Sequence, residues 1–561
     1  MRDKRDYHFC DQVRQSRANG ALQRVILAII GLASLLYTLC STTPAFRTKH
    51  VGDYHVLADQ KSDETDFDWT SLSPSRDLEY VPCYGRFECA RLLLPMDWTA
   101  PEDEWLGHEV AIAMIRQPAN VSVTDPRYGG AVYINPGGPG AQGITTVTGR
   151  LNGHLTHAIN GDNTDEKVFD IVSFDPRGVG FSTPVISCFD DLVSRQLWHQ
   201  LGATYGNIDS SERSFDMHWA RAKSLEQLCH VSNVSGRGLA MSTVTTPFVA
   251  RDMLAMVEKS GEERERRARA VVGRDQELPD SLRYKPGNEL LQYWGFSYGA
   301  FLGGTFASLY PDRVGRMIVD GCGDWVDNTS GEFRGFLLDT DKEWSEFFKL
   351  CHAAGPIPYK DGAWIKLAQT LSELLSGNIT AGVADMLPSR KFRTSTAGCR
   401  TPDCVTEGMG EGFWSEVNYG IYCPDGQDFR NLSKSEMRTW FDGIRDQSPL
   451  FGGAFATTSK MPCVGYPVRP KWRFEGPFGG KTKTPMLFVG NTLDPVAPIA
   501  GTRMNVPLFE GAGFLQQDSV GHCSVAAPSN CTVSYIRSYL VSGILPDGGT
   551  VCPVDRLPFD D

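Results

Sequence analysis

Apolar and polar positions fall into three regimes along this chain. Between Arg24 and Arg47 no charge occurs, and residues 25–40 (VILAIIGLASLLYTLC) are almost wholly apolar. A bilayer-crossing helix wants roughly 17–25 such residues, so the segment is just long enough. Residues 47–78 are polar and acidic without periodicity and read as a stalk. From near Tyr80 short apolar runs alternate with helical patterns. Strands are predicted at 109–116 (EVAIAMIR), 131–135 (AVYIN), 168–174 (VFDIVSF), 290–294, 315–320 (GRMIVD) and 485–489 (PMLFV). Residues 300–310 carry a helix that Pro311 stops. This rhythm predicts an α/β fold with a mostly parallel sheet and helices on both faces. Residues 336–478 break the rhythm with helical patterns, aromatics, Cys and Pro, and read as a largely helical inserted cap. The charge run 261–270 (GEERERRARA) reads as a solvated helix or loop.

The domain plan that follows is a cytoplasmic tail (1–24), a signal-anchor helix (25–41), a lumenal stalk (42–78), a first core part (79–335), the cap (336–478) and a C-terminal core part (479–561). Six Lys/Arg precede the apolar segment and only Arg47 and Lys49 follow closely, so the positive-inside rule puts the long C-terminal part in the lumen. A cleaved signal peptide is the alternative, because Thr43-Pro44-Ala45 resembles a cleavage site. Both export the remainder.

Cysteine usage agrees with export. Of 15 Cys, 13 lie beyond the N-terminal segment, with sequons at Asn120, Asn233, Asn328, Asn378, Asn431 and Asn530. Together these point to an oxidising lumen and a glycoprotein. Thirteen is odd, so at least one thiol stays free or pairs with another chain. Cys399 and Cys404 lack the spacing and the histidines of a zinc site and read as disulfide-forming. The net charge of −12 supplies no basic footprint for nucleic acid. No metal is expected. No cofactor is expected either, since the glycine-rich loop 135–140 lacks the residues of a nucleotide cradle.

The chemistry concentrates in Gly295-Phe296-Ser297-Tyr298-Gly299, between an apolar run and a helical one. That is the pattern of a nucleophile elbow, whose small flanking residues let a strained serine present its hydroxyl. A serine hydroxyl needs a base to take its proton and an acid to orient that base. Asp494 follows the strand at 485–489, and His522 is the only histidine after it, giving the order Ser, Asp, His. The oxyanion needs two preorganised donors. Tyr298 N–H is one, and the loop Asn135-Pro136-Gly137-Gly138-Pro139-Gly140 offers the other, with Gly138 first and Gly137 next.

Several of these pieces resemble the tripeptidyl-aminopeptidase-like branch of the S33 serine peptidases, an α/β-hydrolase group. They are Cys83 with Glu88-Cys89-Ala90, Leu94-Pro95-Met96-Asp97-Trp98, the Asn-Pro-Gly-Gly-Pro-Gly loop, Asp175-x-Arg177-Gly178-x-Gly180-x-Ser182, the elbow, Ile421-Tyr422-Cys423-Pro424-Asp425, and the Asp494/His522 region. Prolyl iminopeptidases of the same group carry His before Gly-Gly-Pro-Gly. Here Pro136 stands there, so their specificity is not carried over. The stretch 259–285 also departs from the group's compact spacing before the elbow.

The resemblance implies an α/β-hydrolase fold and a serine hydrolase that releases short peptides from free N-termini. An aminopeptidase must neutralise its substrate's ammonium, which suggests a cap carboxylate: Asp425, Glu411 or Glu416. An esterase or thioesterase acting on a small hydrophobic metabolite is the alternative, and a catalytically silent binding domain a third. Expected partners are a peptide or small ester substrate and a membrane through one N-terminal helix. Cys83 is expected to pair with Cys89 and Cys188 with Cys229.

Overall fold

A computed structural model describes residues 67–161, 166–189, 191–232, 238–273, 276–353 and 412–557. The proposed tail, anchor helix and most of the stalk lie outside these residues, as do Glu411, Cys399 and Cys404. Within the described residues no helix is long and apolar enough to cross a membrane.

The strands are β1 (Val81–Cys83), β2 (Phe87–Pro95), β3 (Glu109–Gln117), β4 (Tyr128–Asn135), β5 (Val168–Phe174), β6 (Leu291–Phe296), β7 (Val314–Asp320), β8 (Leu487–Leu493), β9 (Gly513–Val520) and β10 (Val551–Pro553). They form one sheet in the order β1-β2-β3-β5-β4-β6-β7-β8-β9-β10. β1, β2 and β3 pair antiparallel, β3 meets β5 antiparallel, and every later pairing is parallel. The fold is that of an α/β-hydrolase. Strand order reverses at β4, which lies between β5 and β6. In open α/β sheets such a switch point opens a crevice at the carboxyl ends of the strands, where ligands bind.

Helices α1 (Gly143–Thr148) and α2 (Asn152–Asn160) follow β4. Between β5 and β6 come α3 (Leu192–Ala203), α4 (Glu212–Ser232), α5 (Gly238–Ser242) and α6 (Thr246–Val272). Then follow α7 (Tyr298–Leu309), α8 (Trp325–Ser330), α9 (Thr340–Ala353), α10 (Gly412–Asp425), α11 (Lys434–Gln447), α12 (Gly452–Thr458), α13 (Lys460–Cys463), α14 (Ile499–Asn505) and α15 (Asn530–Ser542). One face of the sheet packs on α6 and α7 through Met253, Met256, Leu302 and Phe306. The other packs on α1, α2 and α15 through Ile144, Leu155, Ile536 and Leu540.

Three expectations need correction. The folded unit begins before Tyr80, because Trp69 and Leu78 are buried and Trp69 stacks on Phe181. The charge run 261–270 is no solvated segment but the second half of α6. There Glu263 is buried against Arg116 at 3.0 Å, Arg267 reaches Asp170 at 3.2 Å and Arg264 reaches Glu289 at 2.8 Å. Charged residues can face a sheet when each meets an opposite charge. Third, the helical material above the core comes from two insertions. A separate apolar cluster joins Ile208, Phe215 and Ala222 to Leu337, Met437, Trp440, Phe441 and Val464.

Disulfides tie Cys83 to Cys89, Cys188 to Cys229, Cys423 to Cys463 and Cys531 to Cys552. Cys322 and Cys523 are free thiols, both buried. Bonds of this number persist in oxidising compartments, which makes this a secreted or extracellular type of protein. Among the sequons in described residues, Asn120, Asn431 and Asn530 are exposed. Asn328 is half-buried and forms part of the wall of the cavity described below.

Candidate active site

Every part of the site sits at a carboxyl end of the parallel strands. Ser297 follows β6 and holds φ 58° and ψ −124°, a conformation costing a non-glycine residue about 1–3 kcal/mol. The neighbours make room for it. A Cβ on Gly295 would lie 2.3 Å from Gly299 O, and one on Gly299 would lie 2.5 Å from Asn135 O. Ser297 N–H donates to Asp320 O at 2.9 Å, which hangs the elbow from the end of β7.

His522 lies beyond β9 with 30% of its side chain exposed. Its Nδ1 is 2.9 Å from both carboxylate oxygens of Asp494, which follows β8 and is buried. Asp494 also accepts N–H groups from Val496 (3.0 Å), Ala497 (2.8 Å) and Cys523 (3.0 Å). Four donors fix this carboxylate and leave it one orientation, and that fixes the imidazole. Burial works against a charged His522. The hydrogen bond and charge of Asp494, with the charges of Asp320 and Glu343, outweigh it and raise the imidazole above its ordinary 6.5.

A second buried carboxylate, Asp320 at the end of β7, was not singled out in the sequence. It accepts Ser524 N–H at 2.9 Å, the Ser524 hydroxyl at 2.5 Å and Trp294 Nε1–H at 3.3 Å, and burial pushes it up to about 6. It therefore clamps the His522 loop to the sheet, while among the described residues it is Asp494 that receives the imidazole. Cys523 Sγ also reaches Asp320 O, the carbonyl that holds Ser297 N–H. Elbow and histidine loop share one anchor. Asp494, His522 and Cys523 offer a cluster of possible metal ligands. Yet Asp494 is saturated by N–H donors and the thiol is turned to a carbonyl, which suits a base and its orienter better than a cation.

The loop at 136–140 lies over the elbow. Gly137 N–H donates to Asn135 Oδ1 at 3.0 Å, and Asn418 Nδ2–H of the cap donates to Pro139 O at 2.9 Å. Tyr298 begins α7, so its N–H is among the first-turn donors without an intrahelical partner. Gly137 has φ 93°, and a Cβ there would stand 2.3 Å from Phe296 O and 2.9 Å from Tyr298 N. Gly137→Ala should push the loop off the elbow and lower kcat by about 10²–10³-fold, the usual loss for a disturbed oxyanion donor. Unchanged kcat in the folded variant would separate this loop from catalysis.

Gly138, Ser297 and Tyr298 open into a cavity of about 370 Å³. Neither Asp425 nor Glu416 lines it. Asp425 is buried with its carboxylate on Thr246 N–H (2.9 Å) and the Thr246 hydroxyl (2.6 Å), and burial pushes it up to about 7. That same hydroxyl bonds the Tyr298 hydroxyl, so Asp425 supports the elbow from below. Glu416 is buried against Ser187 Oγ (3.1 Å) and Cys188 N–H. Both lie in the interior, not at the substrate surface, which corrects the expectation that they meet an amine. Asp324, capping α8, is the only charged residue among the described ones that lines the cavity.

Glu343 on α9 was also missed. Thr340, one turn before it, donates from its hydroxyl to Pro495 O at 2.6 Å, which docks α9 on the Asp494 loop. Burial and the charge of Asp494 push Glu343 up to about 7, with His522 acting the other way. A base must be neutral, so kcat/KM rises as pH climbs through the titration of this cluster. Removing the negative charge by Glu343→Gln should move that acid limb to lower pH, read from kcat/KM between pH 5 and 9. A limb that stays or moves upward would contradict the placement of Glu343 beside His522.

The chain is similar to known hydrolases. Residues 130–351 match the family described as alpha/beta hydrolase fold, and residues 448–552 match the family described as TAP-like protein. Tripeptidyl aminopeptidase of Streptomyces lividans is 25% identical over 519 residues, covering 84% of each chain. Serine protease Hip1 of Mycobacterium tuberculosis is 31% identical over 530 residues, covering 86% of this chain and 90% of that protein. Carboxylesterase B of Mycobacterium tuberculosis is 40% identical over 103 residues, 18% of this chain and 17% of that protein.

Proposed function

The chain belongs to the α/β-hydrolase family of the tripeptidyl aminopeptidases and Hip1-type serine proteases, and we propose that it is an exopeptidase releasing short peptides from free N-termini. It is a serine hydrolase. The observation carrying the reading is the His522 imidazole, held by a saturated Asp494, on a loop that shares the Asp320 carbonyl with the backbone of Ser297, itself a residue of the cavity wall together with Asp324.

In this reading Ser297 Oγ attacks the scissile carbonyl carbon while His522 Nε2 takes the hydroxyl proton. The N–H groups of Tyr298 and Gly138 receive the oxyanion. Asp494 holds Nδ1–H and stabilises the imidazolium that forms. Collapse breaks the C–N bond, and His522 returns the proton to the departing amine. Water then attacks the acyl-enzyme with His522 again as base, freeing the peptide acid and Ser297. The substrate ammonium falls to Asp324, whose Oδ1 caps α8 through Val326 N–H at 2.9 Å and Asp327 N–H at 3.1 Å while Oδ2 remains for a ligand. Membrane attachment through residues 25–41 and glycans on Asn120, Asn431 and Asn530 complete the proposal.

An esterase acting on small hydrophobic substrates would use the same steps, and the apolar cavity favours it as the second reading. Chromogenic tripeptides with free and acetylated amines, beside simple esters, separate the two. Hydrolysis of free-amine peptides at far higher kcat/KM than their blocked forms is expected. Preference for neutral esters would select the esterase.

A further inference from the structure

From the walls of the cavity beside Ser297 we infer that the enzyme selects peptides with a bulky apolar residue, aromatic or branched, on the acyl side of the scissile bond. The inference rests on the exopeptidase reading and adds its substrate class. The reacting carbonyl is bracketed by Gly138, Ser297 and Tyr298, so the cavity that opens from them receives the residue bearing that carbonyl. Its walls are Phe301, Trp325 and Phe333 from the first core part and Phe336, Tyr422 and Phe455 from the cap.

These rings hold one another in place. Phe333 meets Phe336 at 5.5 Å and Tyr422 at 5.7 Å, edge to face, and Phe336 stacks on Phe455 at 6.0 Å. Trp325 is backed by Phe478 at 5.4 Å and Phe488 at 5.6 Å. The pocket is therefore preformed, and a ligand gains apolar burial without first ordering it. A charged side chain would have to shed its water against these rings, where the one lining carboxylate, Asp324, is already taken by the substrate's ammonium in the exopeptidase reading.

The test is a matched series of free-amine tripeptide anilides, Ala-Ala-X, with X as Phe, Leu, Ala, Asp or Lys. Adding one methylene in such pockets changes kcat/KM by roughly 10–200-fold, so Phe and Leu should exceed Ala by at least about 10²-fold. Phe336→Ala and Phe455→Ala, at half-buried positions, should each cut kcat/KM for the Phe substrate about tenfold or more and narrow the Phe-to-Ala ratio by the same order. Active-site titration with a phosphonylating reagent normalises every variant to folded enzyme. Equal or better turnover of the Ala, Asp or Lys substrates overturns the inference and leaves the exopeptidase reading standing. Turnover of esters with none of any free-amine peptide overturns that reading first, and the inference with it.

Discussion

Ser297→Ala should lower kcat by about 10⁴–10⁶-fold while the protein stays folded, because losing the nucleophile of a triad leaves only binding and the oxyanion donors. The change removes one hydroxyl that makes no hydrogen bond among the described residues. The backbone anchor of the elbow, Ser297 N–H to Asp320 O, survives it. Thermal unfolding and circular dichroism should match the parent. Turnover within a few fold of the parent, in protein that passes those checks, would remove the elbow serine from the mechanism.

The second large effect is on stability. Arg177 and Asp252 form an ion pair with 1% of each side chain exposed, through Nε–Oδ2 at 2.7 Å and Nη2–Oδ1 at 2.5 Å. Arg177 further donates to Met96 O at 2.6 Å, Thr243 O at 3.1 Å and Pro95 O at 3.0 Å, and its guanidinium lies over Phe248. Asp252 also accepts Trp98 Nε1–H at 2.8 Å. Asp252→Ala strands that guanidinium without a counter-charge and should cost about 3–5 kcal/mol, read as a lower denaturation midpoint. Replacing both partners by apolar residues, Arg177→Met with Asp252→Leu, should cost less than the single change. A single variant as stable as the parent would contradict a dry, uncompensated site.

How much of this was readable along the chain depends on where each residue's partners lie in sequence. β5 was legible to the residue as 168–174, since every position in it is buried and apolar runs of that length announce a covered strand. β2 and β9 were not, because their polar positions are satisfied across space: Arg116 takes Glu88 at 2.6 Å, and Gln517 Nε2–H donates to Ser524 O at 3.0 Å. The same blindness turned residues 261–270 into a solvated run, although their carboxylates and guanidinia meet partners on the sheet.

For the site, chain order alone put Ser297, Asp494 and His522 in a plausible sequence, and the structure sets Asp494 against His522. Sequence order says nothing about burial. Asp425 and Glu416 therefore looked available for an amine, whereas Thr246 and the Ser187–Cys188 backbone absorb them. Asp320, Asp324 and Glu343 carried no local signal, since each gains its role from a loop distant in sequence. The pairing of residues 191–242 with the cap failed for the same reason: Phe215 packs on Phe441 across more than two hundred residues.

Labelling with a fluorophosphonate followed by peptide mass mapping tests the central claim most directly, because the reagent phosphonylates only a serine activated by a neighbouring base. One adduct per chain is expected on the peptide containing Ser297, with loss of hydrolysis in step and a labelling rate that rises with pH along the acid limb of His522. Full inactivation with Ser297 unmodified, or no adduct in an enzyme that still hydrolyses its substrate, would contradict the account.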